Sequence, residues 1–145
     1  EKNRKCSRCS KKMTNQKCRK IPEYQEEMQR LLREPLKERS NCLGSVLYLI
    51  GIKDTLSPVP PQDFQDFRRD WTEISADELQ QGDLIARFDE RSKVLEHIGI
   101  IAQTNPLSIY HKLNWYPYAV HDLDSFRKSI IVEKESYEEK YFRTN

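Results

Sequence analysis

The chain has 145 residues, in which 25 basic and 23 acidic side chains nearly cancel to a formal net charge of +2. That length suits one domain with a single core rather than two full ones, and the near-neutral balance excludes a partner chosen by bulk electrostatics alone. No run approaches the roughly 18 apolar residues that a membrane span needs, so a soluble protein without a span is expected.

Residues 1–20 hold almost no large apolar side chains and read as a basic tail, with Lys2, Arg4, Lys5, Arg8, Lys11 and Lys12 in its first dozen positions. Such an arm is more often solvated than bound to nucleic acid, and a nucleic-acid partner is not the leading expectation. Cys6, Cys9 and Cys18 look like part of a zinc knuckle, but a closed structural site needs four ligands and the tail offers three. His121 or Cys42 would have to complete it through a tertiary contact. A disulfide from Cys18 to Cys6 or Cys9, or three unstructured thiols, are the other readings.

Order is expected from residue 21 to residue 145. Ile21, Tyr24, Met28, Leu31 and Leu32 recur at helical spacing, with Pro22 suited to a first turn and Pro35 ending the run. Ser40 or Asn41 can cap a second helix that carries Val46, Leu47 and Ile50 and stops at Gly51. The stretch from Lys53 to Trp71, with Pro58, Pro60 and Pro61, predicts a surface loop holding a short helical piece around Phe64 and Phe67. Ser75 to Glu78 is a capping-box pattern for one helical turn, closed by Gly82. Beyond Gly82 the period changes to two. Strands are predicted near 84–88, 98–102, 109–113, 118–120 and 129–133. Helices followed by antiparallel strands describe an α+β domain, its N-terminal helices packed on a small sheet.

Cys42 falls in the first turn of the second helix, where unpaired amides and the positive end of the helix dipole favour thiolate over thiol. A thiolate nucleophile needs a base that later protonates the leaving amine, and one imidazole serves both needs. His97 is the candidate: Ile98 and Ile100 should face opposite His97 and Gly99, so the imidazole turns away from one apolar layer toward the helix terminus. A third polar group should orient that imidazole. His111 is favoured because its ring nitrogen can accept from His97, and Asn114 is the alternative through its amide oxygen. The oxyanion would meet the Cys42 amide and the Asn41 side chain. Trp71 and Trp115 are candidate groove residues, although tryptophan also serves cores. Taken singly, the cysteine and each histidine would also suit a packing role.

Asn41-Cys42-Leu43-Gly44, Gly82-Asp83-Leu84-Ile85 and Glu96-His97-Ile98-Gly99-Ile100 occur in that order, and over residues 40–133 the chain resembles the NlpC-type cell-wall cysteine peptidases and the related CHAP amidases. The resemblance implies a papain-like fold and a Cys42–His97–His111 triad that cleaves amide bonds through a thioester. It implies peptide or peptidoglycan substrates, an extracytoplasmic or cell-envelope setting, and no cofactor for catalysis. Asn114-Trp115 looks like the CHAP variant of the third position. Asn41 and Leu43 stand where the NlpC-type pattern has Asp and Ser, which places Leu43 at the substrate's amino end and alters its recognition. A thiol acyltransferase and a non-catalytic binding module with a basic or metal-stapled tail are the competing functions.

Overall fold

A computed structural model describes residues 21–33, 40–112, 118–129 and 136–144. The predicted strand at 129–133, apart from Ser129, and the readings placed on Asn114, Trp115, Cys6, Cys9 and Cys18 lie outside the described residues.

The first two helices form where the spacing predicts them. Helix α1 (Ile21–Arg33) leads to α2 (Cys42–Leu49). Met28 and Leu31 of α1 are buried in the same core as Leu43, Val46 and Leu47 of α2, and Tyr48 Oη donates to Glu27 Oε2 across the pair at 2.8 Å. Asn41 caps α2 by accepting from the Gly44 amide at 2.8 Å, while Gly51, at φ 90°, ends the turn in a conformation that L side chains rarely adopt. The Pro-rich loop contains a 3-10 turn (Pro61–Asp63) and a short helix α3 (Phe64–Arg68). Both reciprocal bonds of the capping box from Ser75 to Glu78 are present.

The strands are β1 (Thr72–Ile74), β2 (Leu84–Asp89), β3 (Leu95–Thr104), β4 (Leu107–Lys112) and β5 (Tyr118–His121), followed by helix α4 (Leu123–Lys128) and strand β6 (Tyr137–Arg143). They form one six-stranded sheet in the order β1-β6-β2-β3-β4-β5, antiparallel at every pairing. The architecture is α+β, with two departures from the predicted order. Ser129 ends helix α4 instead of opening a strand: its amide donates to the Ser125 carbonyl at 3.0 Å and its Oγ to the Phe126 carbonyl at 2.7 Å, while Asp122 Oδ1 caps the other end by accepting from the Ser125 amide at 2.7 Å. The last strand, β6, is absent from the predicted set and lies between β1 and β2.

Period-two alternation divides the sheet between two apolar layers. Leu84, Ala86, Ile98, Ile100 and Tyr110 belong to the larger core beneath α1 and α2. Ile85, Ile101 and Ile109 face the other way and are covered by Phe126 of α4. Trp71 lies in the larger core against Phe64 and Phe142, at centroid distances of 5.7 and 6.4 Å. It fills space there and lines no groove, which corrects its reading as a substrate contact.

Candidate functional site

Cys42 occupies the first helical position of α2 and is 8% exposed. Its thiol meets the Ile98 amide, the peptide that follows His97, together with the amides of Leu43 and Cys42 itself. These contacts and the nearby Lys112 ammonium favour thiolate. Burial outweighs them and pushes the thiol up to about 11. Lys112 was not among the predicted site residues. It follows His111 on β4, so strand alternation turns it to the opposite face, that of α2.

The cap residue and the loop close over this helix start. Asn41 Oδ1 accepts from the Gly44 and Val59 amides at 2.8 and 3.1 Å, and its Nδ2 donates to the Val59 carbonyl at 2.6 Å. Through these bonds Asn41 is a clamp between helix and loop, and one N–H of Nδ2 is committed to Val59. Ser40 Oγ also donates to the Ser57 carbonyl at 3.1 Å. The approach is close enough that a Cβ on Gly44 would stand 2.0 Å from that carbonyl oxygen. Leu43 is fully buried in the larger core, so it does not meet substrate here. Helical geometry turns it inward where the sequence pattern placed it at the substrate's amino end.

His97 extends from β3 on the side of Gly99 and Ile101, as alternation predicts, but this side faces Phe126 of α4, and the expectation that the ring turns toward the α2 terminus is corrected: Cys42 lies on the other face with Ile98 and Ile100. His97 is 5% exposed, and its Nε2 lies 2.8 Å from His111 Nδ1. The second histidine of the predicted set is therefore the partner of the first. His111 Nε2 in turn lies 2.8 Å from His121 Nδ1, which adds a third ring on β5. Each of the three rings stands on a different strand. Strand pairing puts His121 opposite Ile109 and His111 opposite Ala119 on one face.

Phe126 covers the inner pair, with ring centroids 5.3 Å from His97 and 4.9 Å from His111. Gly99 makes this packing possible, since a Cβ there would approach Phe126 Cε1 to 3.2 Å and Ile109 Cγ2 to 2.6 Å. Burial lowers His97 to about 3, helped by His111 and Arg87, and lowers His111 to about 4, helped by His121. Both rings are neutral at pH 7.

A β-bulge next to His97 puts one extra residue, Glu96, into β3 between the pairs Arg87↔His97 and Phe88↔Leu95. Arg87 Nε donates to Glu96 Oε1 at 3.1 Å, and both side chains are buried. The guanidinium also lies 3.7 Å from the Tyr137 ring centroid. This places a paired cation, rather than a bare one, beside His97.

The thiol and His97 imidazole make no hydrogen bond to each other; the ring's hydrogen bond goes to His111. The helix start and the base strand thus meet at the Ile98 peptide, but the thiol lies on the α2 face of the sheet and the imidazole on the α4 face. Asp83 of the Gly82-Asp83 motif has a structural use, accepting from Arg143 Nε and Nη2 at 3.0 and 2.8 Å and from the Gln80 amide at 2.7 Å. A cavity of about 600 Å³ lies elsewhere, between α1 and the sheet, with Met28, Gln81, Tyr110 and Val120 in its wall.

Among the described residues no group of three or more His, Cys, Asp or Glu side chains is arranged to hold a metal ion, the histidine row included. No described helix is long and apolar enough to cross a membrane. Compared with family models, curated proteins and solved structures, the chain matches none.

Proposed function

We propose that the protein is a papain-like cysteine hydrolase in which Cys42 is the nucleophile, His97 the base and His111 the group that orients it. The observation that carries this reading is the His97 Nε2 to His111 Nδ1 hydrogen bond on the strand whose Ile98 amide meets the Cys42 thiol. With Nε2–H donated to His111, the His97 Nδ1 lone pair is left for the thiol proton. Sγ attack on an amide carbonyl then gives a tetrahedral oxyanion. Collapse expels the amine with a proton returned by His97, and water hydrolyses the thioester. His97 faces α4 while Cys42 lies on the α2 side of the sheet, so this sequence of steps requires strand β3 to rearrange until the imidazole and the thiol share one face.

Amide bonds of peptidoglycan stem peptides are the proposed substrate class, on the motif resemblance. Cys42→Ala and His97→Ala should remain folded by circular dichroism and lose turnover of muropeptides along with labelling by a thiol-directed acyl probe. Full turnover by either variant would refute the proposal. Transfer to an added amine instead of water would make the same site an acyltransferase, and product mass separates the two.

One observation favours a second reading, that of a non-catalytic papain-like module. The thiol is buried, raised to about 11 and not bonded to His97. That reading predicts ligand binding unchanged by Cys42→Ala and no covalent capture of the wild-type protein.

A further inference from the structure

The α2 side of the sheet carries a buried lysine that the hydrolysis scheme leaves without a part. Lys112 closes β4 and is 6% exposed. Strand pairing sets it opposite Tyr118 of β5, and carrying the β3–β4 register on by two residues from Ile100↔Tyr110 sets it opposite Ile98 of β3. Ile98, Lys112 and Tyr118 thus form one row across three strands, on the face against which α2 packs. Helix α2 lies along that row. Ser45 Oγ stands 2.9 Å from Tyr118 Oη at one end, and the Cys42 thiol meets the Ile98 amide at the other. Cys42 and Ser45, three residues apart, are neighbours on one helix face. Lys112 occupies the middle of the row, with Nζ 5.8 Å from the Tyr118 ring centroid. Its ammonium therefore lies beneath the first turn of α2, on the thiol's own side of the sheet.

We propose that Lys112 is a positioning residue for Cys42: its ammonium, held in this row, stabilises the thiolate that attacks the amide carbonyl. The inference rests on Cys42 being the nucleophile of the proposed hydrolase and is independent of which group serves as its base. No covalent bond to the lysine forms. The S–H bond breaks and its proton passes to the base, while Lys112 keeps its three N–H bonds, so the pair goes from a single positive charge to neutral. Where burial disfavours charge, ionisation that neutralises a charge already present is favoured over ionisation that creates a bare one.

The surroundings leave the two groups to each other. Helix α2 and the overlying Ser57–Val59 loop carry no charged side chain, and β3 and β5 present Ile98, Ile100, Tyr118 and Val120 on this face. Helix α1 brings Glu27 and Arg30, which are bonded to each other, Glu27 also accepting from Tyr48; its Glu26 faces the cavity further along. The Tyr110 hydroxyl donates to the Met28 carbonyl. Burial lowers the Lys112 ammonium and raises the Cys42 thiol, and each of the two charges opposes that effect on the other.

The test is alkylation of the full chain between pH 7.5 and 9, read on the Cys42 peptide by mass so that the other cysteines do not interfere. Lys112→Met should slow iodoacetamide labelling at least about tenfold, the equivalent of one pKa unit, and Lys112→Arg should restore it. Loosening of the fold speeds labelling, so a slowing reports the charge. A Lys112→Met chain that labels as fast as wild type, or a Lys112→Arg chain as slow as Lys112→Met, overturns the proposal. A second measurement needs no substitution. A cation beside the sulfur favours an anionic reagent, so the ratio of iodoacetate to iodoacetamide rates at Cys42 of the wild-type chain should exceed that of free cysteine several-fold. A ratio no higher than that of free cysteine overturns the proposal even if Lys112→Met does not fold. Failure of the hydrolase reading is seen separately, as muropeptide turnover that persists in Cys42→Ala, which none of these labelling rates reports.

Discussion

Neutral burial of His97 and His111 gives the protein a defined weakness toward acid. Their folded values of about 3 and 4 lie below the ordinary 6.5 of imidazole, chiefly because burial disfavours the charged ring. Between about pH 6.5 and those values the unfolded chain therefore binds more protons than the folded one. Stability is greatest above pH 6.5 and falls as the pH drops, by about 1.4 kcal/mol per pH unit for each ring that must stay neutral. We expect a loss of about 2–4 kcal/mol between pH 7 and pH 5, measured from urea midpoints in a window that mostly precedes carboxylate protonation. An unchanged midpoint would mean that the two rings are not sealed as neutral groups. At this scale the sequence was informative where a role depends on neighbours in the chain. The alternation of His97 with Ile98 could be read, and His111 from the next strand candidate, but not that both rings turn toward α4 instead of α2, because which helix covers which face is a tertiary matter. His121 could not be read as their partner, because its place depends on which residues of β4 and β5 stand opposite one another. Asn41 was legible as a cap, but its contacts with Val59 come from a loop 18 residues away.

Glycine at position 44 is the point where two elements decide each other's position. In an isolated helix, alanine would improve on it by about 1 kcal/mol. Here the Ser57 carbonyl occupies the space that a Cβ needs, at 2.0 Å, and the loop carrying it is tied down by Ser40 and Asn41. The clash is with backbone and cannot be relieved by a rotamer change, so Gly44→Ala should destabilise the protein by about 1–3 kcal/mol despite its better helix propensity. Because the same loop lies over the helix start, Cys42 in this variant should also be alkylated several-fold faster than in wild type. Chemical denaturation and peptide-resolved alkylation together check the claim; a Gly44→Ala protein more stable than wild type would show that the loop is not held there. The elements that the sequence revealed, α2 and the capping-box turn among them, carry their start and stop signals within a few residues. Helix α4 has six residues, too few for helical periodicity to show. Strand β6 was concealed by Glu138, Glu139 and Lys140, which look like solvated charge until Arg127 is seen paired with Glu139.

That concealed strand holds the whole molecule together. β6 pairs with β1 along Thr72 to Ile74 and with β2 along Leu84 to Asp89, so it is internal to the sheet although it comes last in the chain. Phe142, fully buried, lies at centroid distances of 5.7 to 6.4 Å from Phe64, Trp71 and Phe88. Its neighbour Arg143 neutralises the buried Asp83 through two hydrogen bonds. Ending the chain at residue 136 would remove the centre of an aromatic cluster, where loss of one such side chain alone costs about 3–5 kcal/mol. It would also leave Asp83 without its cation and expose the long edge of β2, while α1, α2 and the histidine strands stayed intact in sequence. Typical domains have only about 5–15 kcal/mol to lose. We therefore expect the shortened chain to lose its cooperative urea transition and bind a hydrophobic dye, and to fail to protect the Cys42 peptide from alkylation even though every residue of the proposed triad is present. A sharp transition with the full-length midpoint would show that the site is organised by β2 to β5 alone and that the last strand is an accessory to it.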